Sequence, residues 1–316
     1  MPRKKKWTRE DIPDQTGKTV IVTGANSGTG FEVTKELAGK GAHIILACRN
    51  TEKGEAAVSK IREKHPNASL RVMKLDLADL SSVKSFVKTF TSEYKQLHIL
   101  CNNAGVMQTP YLKTKDGFEL QLGTNHLGHF ALTGLLSDIL LQTEGSRVVT
   151  MSSNAYIFGR IDFDNLNWEK PKSYGSTAAY GRSKLANLLF TYELQRKFEQ
   201  KGARVISVAS HPGYSATNLQ SSGLKLGRSM SARLMRLIYS ILNKVVAQSV
   251  EMGALPMLMA ATSAEINGGD YIGPERVFSF RGYPKKVNSN GRSHNLETAE
   301  KLWRVSESLT GVNFNL

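Results

Sequence analysis

The stretch Thr19-Val-Ile-Val-Thr-Gly24-Ala-Asn-Ser-Gly28-Thr-Gly30, continued by FEVTKELAGKGA to Ala42, joins a β-branched apolar run to an amphipathic one through a turn spaced by glycines. Such a turn has a mechanical reading. Gly24 permits the tight bend, Gly28 lets backbone amides approach a pyrophosphate, and Gly30 lets the following helix pack close to the strand. The turn as a whole, with Asn26, Ser27 and Thr29 between the glycines, then sits at a helix N-terminus. There, unpaired N–H groups and the positive end of the helix dipole favour an anion.

The same alternation continues outward. HIILACR is followed by EKGEAAVSKIREKH, and the pattern predicts further strands over 70–74, 99–102, 147–152 and 204–209, with helices over 81–94, 125–141 and 179–201. Short apolar runs alternating with longer amphipathic ones signal βαβ units. The expected fold is α/β: a Rossmann-type doubly wound parallel sheet in a three-layer αβα arrangement, with ligands at the carboxyl ends of the strands. We read residues 1–316 as a single dinucleotide-binding domain, with 1–17 as an N-terminal extension.

Two stretches break the rhythm. Residues 154–179 carry Asp162, Asp164, Asn165, Asn167 and Pro171, and read as an irregular loop of the kind that borders active sites. Within 214–250, taken as a substrate-lid region, Leu234, Leu237, Ile238, Ile241, Leu242, Val245 and Val246 fall at helical spacing. That helix is compatible with core packing, with a lid over substrate and with a membrane surface.

Composition narrows the class. The chain has 316 residues, a formal charge of +15 and only two cysteines, Cys48 and Cys101, which excludes a disulfide framework and favours a reducing, cytoplasmic setting. No apolar run is long enough for a spanning helix. Lys and Arg are scattered apart from the cluster Arg3 to Lys6, no nucleic-acid module is recognisable, and the charge reads as solvated surface. His126, His129 and His211 lack metal-ligand companions at suitable spacing and read as structural.

The second strand decides which dinucleotide is expected. NAD sites usually end it with an acidic residue on the ribose 2′-hydroxyl. Here it ends in Cys48-Arg49-Asn50, and a guanidinium makes paired, charge-assisted bonds to a 2′-phosphate that a carboxylate would repel. Arg49 therefore points to NADP(H). Asp76, after the third strand, either accepts from an adenine amino group or caps the next helix.

Taken in order, TGANSGTG, Asp76-Leu77, Asn102-Asn103-Ala104-Gly105, Asn125, Ser153, Tyr180-Gly-Arg-Ser-Lys184 and Pro212-Gly213 resemble the short-chain dehydrogenases/reductases over about residues 18–217. ACRN, Asn125-His126-Leu127-Gly128-His129-Phe130, His211-Pro212-Gly213 and the tail with Leu302-Trp303 look like the retinol-dehydrogenase and protochlorophyllide-reductase branch. Tyr214 stands where the light-driven reductases have cysteine, which disfavours that activity. Thr29 replaces an apolar residue usual in the family, and a looser helix start is expected from it.

The chemistry follows from side chains. Tyr180 and Lys184 are four apart on a helix and share a face, so the ammonium stabilises the phenolate. Moving a phenol from its usual pKa near 10 to about 7 takes roughly 4 kcal/mol, supplied by Lys184 and an oxidised nicotinamide together. Tyr180 then acts as general acid or base on a carbonyl or alcohol whose oxygen Ser153 holds; Ser152 is the competing serine.

The resemblance further implies that Lys184 binds nicotinamide-ribose hydroxyls and that Asn125 positions a water beside it. It also implies that Asn103, Ala104 and Gly105 line the cofactor, and that Pro212, Gly213 and Thr217 flank the carboxamide. The substrate expected is a small apolar aldehyde, ketone or alcohol. The rival reading is an NADP(H)-binding sensor or scaffold without turnover. Oligomeric state has no distinctive signature in the sequence. Substituting Arg49→Ala should weaken NADPH binding strongly and NADH binding little in a titration of both nucleotides; equal losses would remove the 2′-phosphate assignment.

Overall fold

A computed structural model describes residues 6–214, 248–276 and 280–316. The chain begins β1 (Thr19–Thr23), α1 (Gly28–Gly39), β2 (His43–Cys48), α2 (Thr51–Lys64), β3 (Leu70–Lys74), α3 (Leu80–Glu93) and β4 (Ile99–Asn102). A helical stretch follows in pieces: α4 (Leu120–Leu122), a π turn (Gly123–Leu127), α5 (Gly128–Leu135) and α6 (Ser137–Gln142). Then come β5 (Arg147–Met151), α7 (Ser176–Gln200), β6 (Ile206–Ser210), α8 (Val250–Thr262), β7 (Tyr271–Arg276), β8 (Arg281–Lys286) and α9 (Leu296–Thr310).

All eight strands form one sheet in the order β3-β2-β1-β4-β5-β6-β7-β8, the expected Rossmann-type arrangement. Every pairing is parallel except β7 with β8. Parallel strands covered on both faces read as continuous apolar runs, and Val20 through Thr23 are all buried. Side chains alternate between two cores. Val20, Val22, Ile44, Leu46 and Val149 pack with Val33 and Leu37 of α1, Ile61 of α2 and Met257 of α8. Ile21, Ile45, Leu100 and Val148 pack with Phe86 and Phe90 of α3, Phe130 of α5 and Phe190 of α7 on the other face. This is the three-layer arrangement, and the order reverses between β1 and β4, where such sheets open a crevice.

Three sequence expectations need correction. The single helix predicted over 125–141 is divided by the π turn and by a break at Leu136 (φ −97°, ψ 1°). Asn125 therefore lies inside a helical stretch and does not open one. Two strands escaped notice, because YIGPER and RGYPKK carry the breakers Gly273, Pro274, Gly282 and Pro284. The register places Pro274 opposite Pro284, so neither missing N–H costs a ladder bond there, and β8 ends the sheet as an antiparallel edge with lysines. The helix read over 229–250 and most of the 214–250 lid region lie outside the described residues, as does Thr217.

The second core is closed from the far end of the chain. Trp303 of α9 meets Phe130 edge-on at 5.1 Å and stacks on Phe190 at 5.8 Å, while Phe314 packs on Phe130 at 4.9 Å and on Trp303 at 4.5 Å. Deleting a buried indole removes apolar burial and leaves a cavity. Trp303→Ala should cost about 3–5 kcal/mol in urea unfolding, whereas Leu309→Ala, at a partly exposed position of the same helix, should cost far less.

Candidate active site

The glycine turn is held by sterics and by a neighbouring loop. Gly24 has φ +66°, a conformation that side chains rarely adopt. A Cβ on Gly30 would lie 2.5 Å from the Gly24 carbonyl oxygen, so the close packing expected there leaves no room for a methyl group. Ser27 occupies the N-cap of α1 without a side-chain capping bond, which leaves the first helical amides to a ligand. Thr29 does not loosen this start as expected. Its hydroxyl donates to Asn103 Oδ1 at 2.9 Å, and Asn103 Nδ2 donates to the Thr23 carbonyl at 2.8 Å, so the turn is laced to the loop after β4.

Above these strand ends lies a cleft of about 550 Å³. Gly24, Asn26, Ser27, Gly28 and Thr29 form its floor, and Leu77, Asn103, Ala104 and Gly105 one wall. Arg49 and Asp76 border one end with Asn50 and Lys53, while Tyr180, Lys184 and Pro212 border the other. Among the described residues neither Arg49 nor Lys53 has an ion-pair partner. The helix cap expected at Asp76 is supplied by Asp79, which accepts from Ser81 N and Ser82 N, and Asp76 remains on the cleft with Oδ1 on Ala78 N. A floor of open amides and a volume of this size fit a dinucleotide.

At the opposite end α7 brings Tyr180 and Lys184 to one face. Lys184 Nζ lies 5.7 Å from the Tyr180 ring centroid and donates to the Met151 carbonyl at 3.1 Å. Its side chain is 2% exposed, and burial pushes its pKa down to about 7. The fixed ammonium of the sequence argument is thus a group that changes charge near neutrality in the protein alone. Of the two serines, Ser152 is fully buried on the cleft wall and donates to the Lys184 carbonyl at 2.9 Å. Ser153 caps the turn Asn154–Phe158, where its Oγ accepts from Ala155 N at 3.2 Å.

Asn125 does not reach toward Lys184 through its side chain. It clamps Val106 instead, accepting from Val106 N at 2.8 Å and donating to Val106 O at 2.9 Å, and it donates to Ser183 Oγ at 2.9 Å. A Cβ on Gly105 would lie 3.0 Å from Asn125 Oδ1 and 3.6 Å from Lys184 Nζ, so these three residues crowd one point. Gly213 is turned against the Phe280 carbonyl and away from the cleft, with φ +65°.

Some residues of the site carried no sequence signal. Lys53 lies one turn beyond Arg49, yet a lysine on an amphipathic helix has no reason to stand out. Val106, Met107 and Leu120 give the far end of the cleft an apolar lining, and Thr124 there has a buried hydroxyl with no partner among the described residues. Arg182, between Tyr180 and Lys184, is buried and donates to the carbonyls of Arg160 (3.0 Å) and Leu166 (2.8 Å), with its guanidinium 4.5 Å from the Trp168 ring. The irregular loop beside the site is thereby pinned to the helix that carries the tyrosine.

A glycine turn at the switch point of a parallel sheet, facing a tyrosine and lysine one helical turn apart, defines a nucleotide-binding oxidoreductase fold, and the chain belongs to the short-chain dehydrogenase family, whose model matches residues 18–165. It is 40% identical to mouse (Mus musculus) retinol dehydrogenase 12 over 97% of this chain and 90% of that protein. It is 43% identical to human (Homo sapiens) retinol dehydrogenase 11 over 94% of this chain and 86% of that one. Among solved structures, an uncharacterised protein from Mycobacterium paratuberculosis matches with a TM-score of 0.81 and 40% identity, covering 99% of this chain and all of that one (100%).

The depressed Lys184 pKa has a thermodynamic sign. Between pH 7 and about 10.4 the unfolded chain holds a proton on this lysine that the folded, cofactor-free protein has released, so its contribution to stability rises with pH across that window and is level below it. Compared with Lys184→Met, the parent protein should gain stability between pH 7 and pH 10 in denaturant titrations; a pH-independent difference would show the ammonium to be solvated.

Proposed function

We propose that the protein is an NADP(H)-dependent oxidoreductase that interconverts a carbonyl and an alcohol on a small apolar molecule. The observation that carries this reading is the convergence of Tyr180 and buried Lys184 at the end of the cleft opposite Arg49 and Lys53. Bound NADPH supplies the hydride to the carbonyl carbon. Tyr180 donates its phenolic proton to the carbonyl oxygen, and the same oxygen accepts from Ser153. Lys184, with a pKa near neutrality, returns a proton to the phenolate and holds the ribose hydroxyls of the cofactor. In the oxidative direction each proton moves the other way.

Arg49 and Lys53 favour a phosphorylated adenosine ribose, Asp76 accepts from the adenine, and Asn103, Ala104, Gly105 and Pro212 complete the cofactor's surroundings. The apolar end formed by Val106, Met107 and Leu120 suits a hydrophobic substrate, and the retinol dehydrogenases among its relatives act, by name, on such a molecule. Cys48 and Cys101 are both unpaired and buried, which suits a cytoplasmic setting, and the whole chain acts as one dinucleotide-binding unit. No helix among the described residues is long and apolar enough to cross a membrane.

NADPH consumption with a panel of hydrophobic aldehydes and ketones tests the proposal. Tyr180→Phe should reduce turnover by about 10²–10⁴-fold while NADPH binding persists. Binding without any Tyr180-dependent turnover would instead identify a sensor of the nucleotide.

A further inference from the structure

His129, on α5, is 1% exposed and makes two hydrogen bonds that join parts of the site far apart in sequence. Its Nδ1 lies 3.0 Å from the Asn125 carbonyl oxygen, and its Nε2 lies 2.9 Å from Thr23 Oγ1. A carbonyl oxygen only accepts, so Nδ1 must carry the proton. The ring is neutral, since burial, with Lys184 nearby, pushes its pKa down to about 3. Nε2 is then a bare lone pair, and the Thr23 hydroxyl donates to it at 2.9 Å in preference to the Cys101 carbonyl, its other acceptor, at 3.3 Å. The Thr23 oxygen is left to accept from Asn103 N and Ala104 N, both at 2.9 Å. One chain of oriented bonds therefore runs from the β4 loop amides through Thr23 and His129 to the backbone of the π turn.

We infer that His129 is a positioning residue of this site, locked by Thr23 in its Nδ1–H tautomer so that it holds the Asn125 carbonyl, and with it the π turn, in register with the glycine turn. The inference rests on the proposed enzymatic reading of the site. Its physical content is orientational. In the other tautomer, Nδ1 would present a lone pair to the Asn125 oxygen and the Thr23 oxygen would face a third N–H, so both contacts would be lost together. The side chain touches neither the cleft wall nor the reacting groups. It acts through Asn125, whose backbone carbonyl it holds and whose side chain donates to Ser183 on the helix that carries Tyr180 and Lys184.

Two measurements test this. Nitrogen-15 NMR of histidine-labelled, cofactor-free protein should report His129 as the Nδ1–H tautomer across pH 6–8; an Nε2–H tautomer or a titrating ring overturns the inference, whatever the activity. For the kinetic test, His129→Leu should lower kcat about tenfold or more while the dissociation constant for NADPH changes little. In His129→Asn the amide N–H takes the place of Nδ1–H and should restore most of kcat. An asparagine variant no better than the leucine one, or equal losses in kcat and NADPH affinity, would assign His129 to packing alone. Tyr180→Phe separates the two readings, because NADPH binding without any Tyr180-dependent turnover sinks the enzymatic proposal and leaves the tautomer result standing.

Discussion

Thr23 Oγ1 accepts the backbone amides of Asn103 and Ala104, and through this one hydroxyl the end of β1 is tied to the end of β4. Both amides are turned inward at the point where the strand order reverses, and leaving either without a partner costs about 1–3 kcal/mol. The cleft exists because these two strand ends are held at a fixed distance. The Asn103 side chain adds a second tie by bonding the Thr23 carbonyl and the Thr29 hydroxyl. The glycine turn and the loop after β4 are consequently tied into one piece.

That helix carries an energetic cost. Burying a lysine without a carboxylate partner depresses its pKa, and among the described residues Lys184 has only the Met151 carbonyl to replace the water it lost. Surrounding structure tolerates this because α7 is fixed on several sides. Arg182 binds the adjoining loop, Ser152 accepts duty as a donor to the Lys184 carbonyl, and Asn187 Nδ2 shares the Met151 carbonyl at 3.0 Å. Tyr180 and Lys184 are thus carried on a helix held by hydrogen bonds on several sides.

Much of this was legible in the sequence where a local pattern and a tertiary role coincide. The glycine turn, the parallel sheet and the Tyr180–Lys184 pair all follow from spacing, because strand, turn and helix periodicities are properties of short windows. Reading failed where tertiary contacts overrode the window. β7 and β8 contain proline and glycine, and only their position at the sheet edge makes them strands. The π turn at Asn125 has no residue signature, since it reflects the side chain's clamp on Val106. Thr29 looked like a weakness in the motif until its hydroxyl found Asn103, and Lys53 became meaningful only when α2 placed it on the same cleft as Arg49.

The aromatic cluster of Phe130, Phe190, Trp303 and Phe314 spans most of the polypeptide. On a ribosome the first two rings emerge long before the last two, and the layer they belong to must wait with an open oily face. That layer can close only after translation has passed α9.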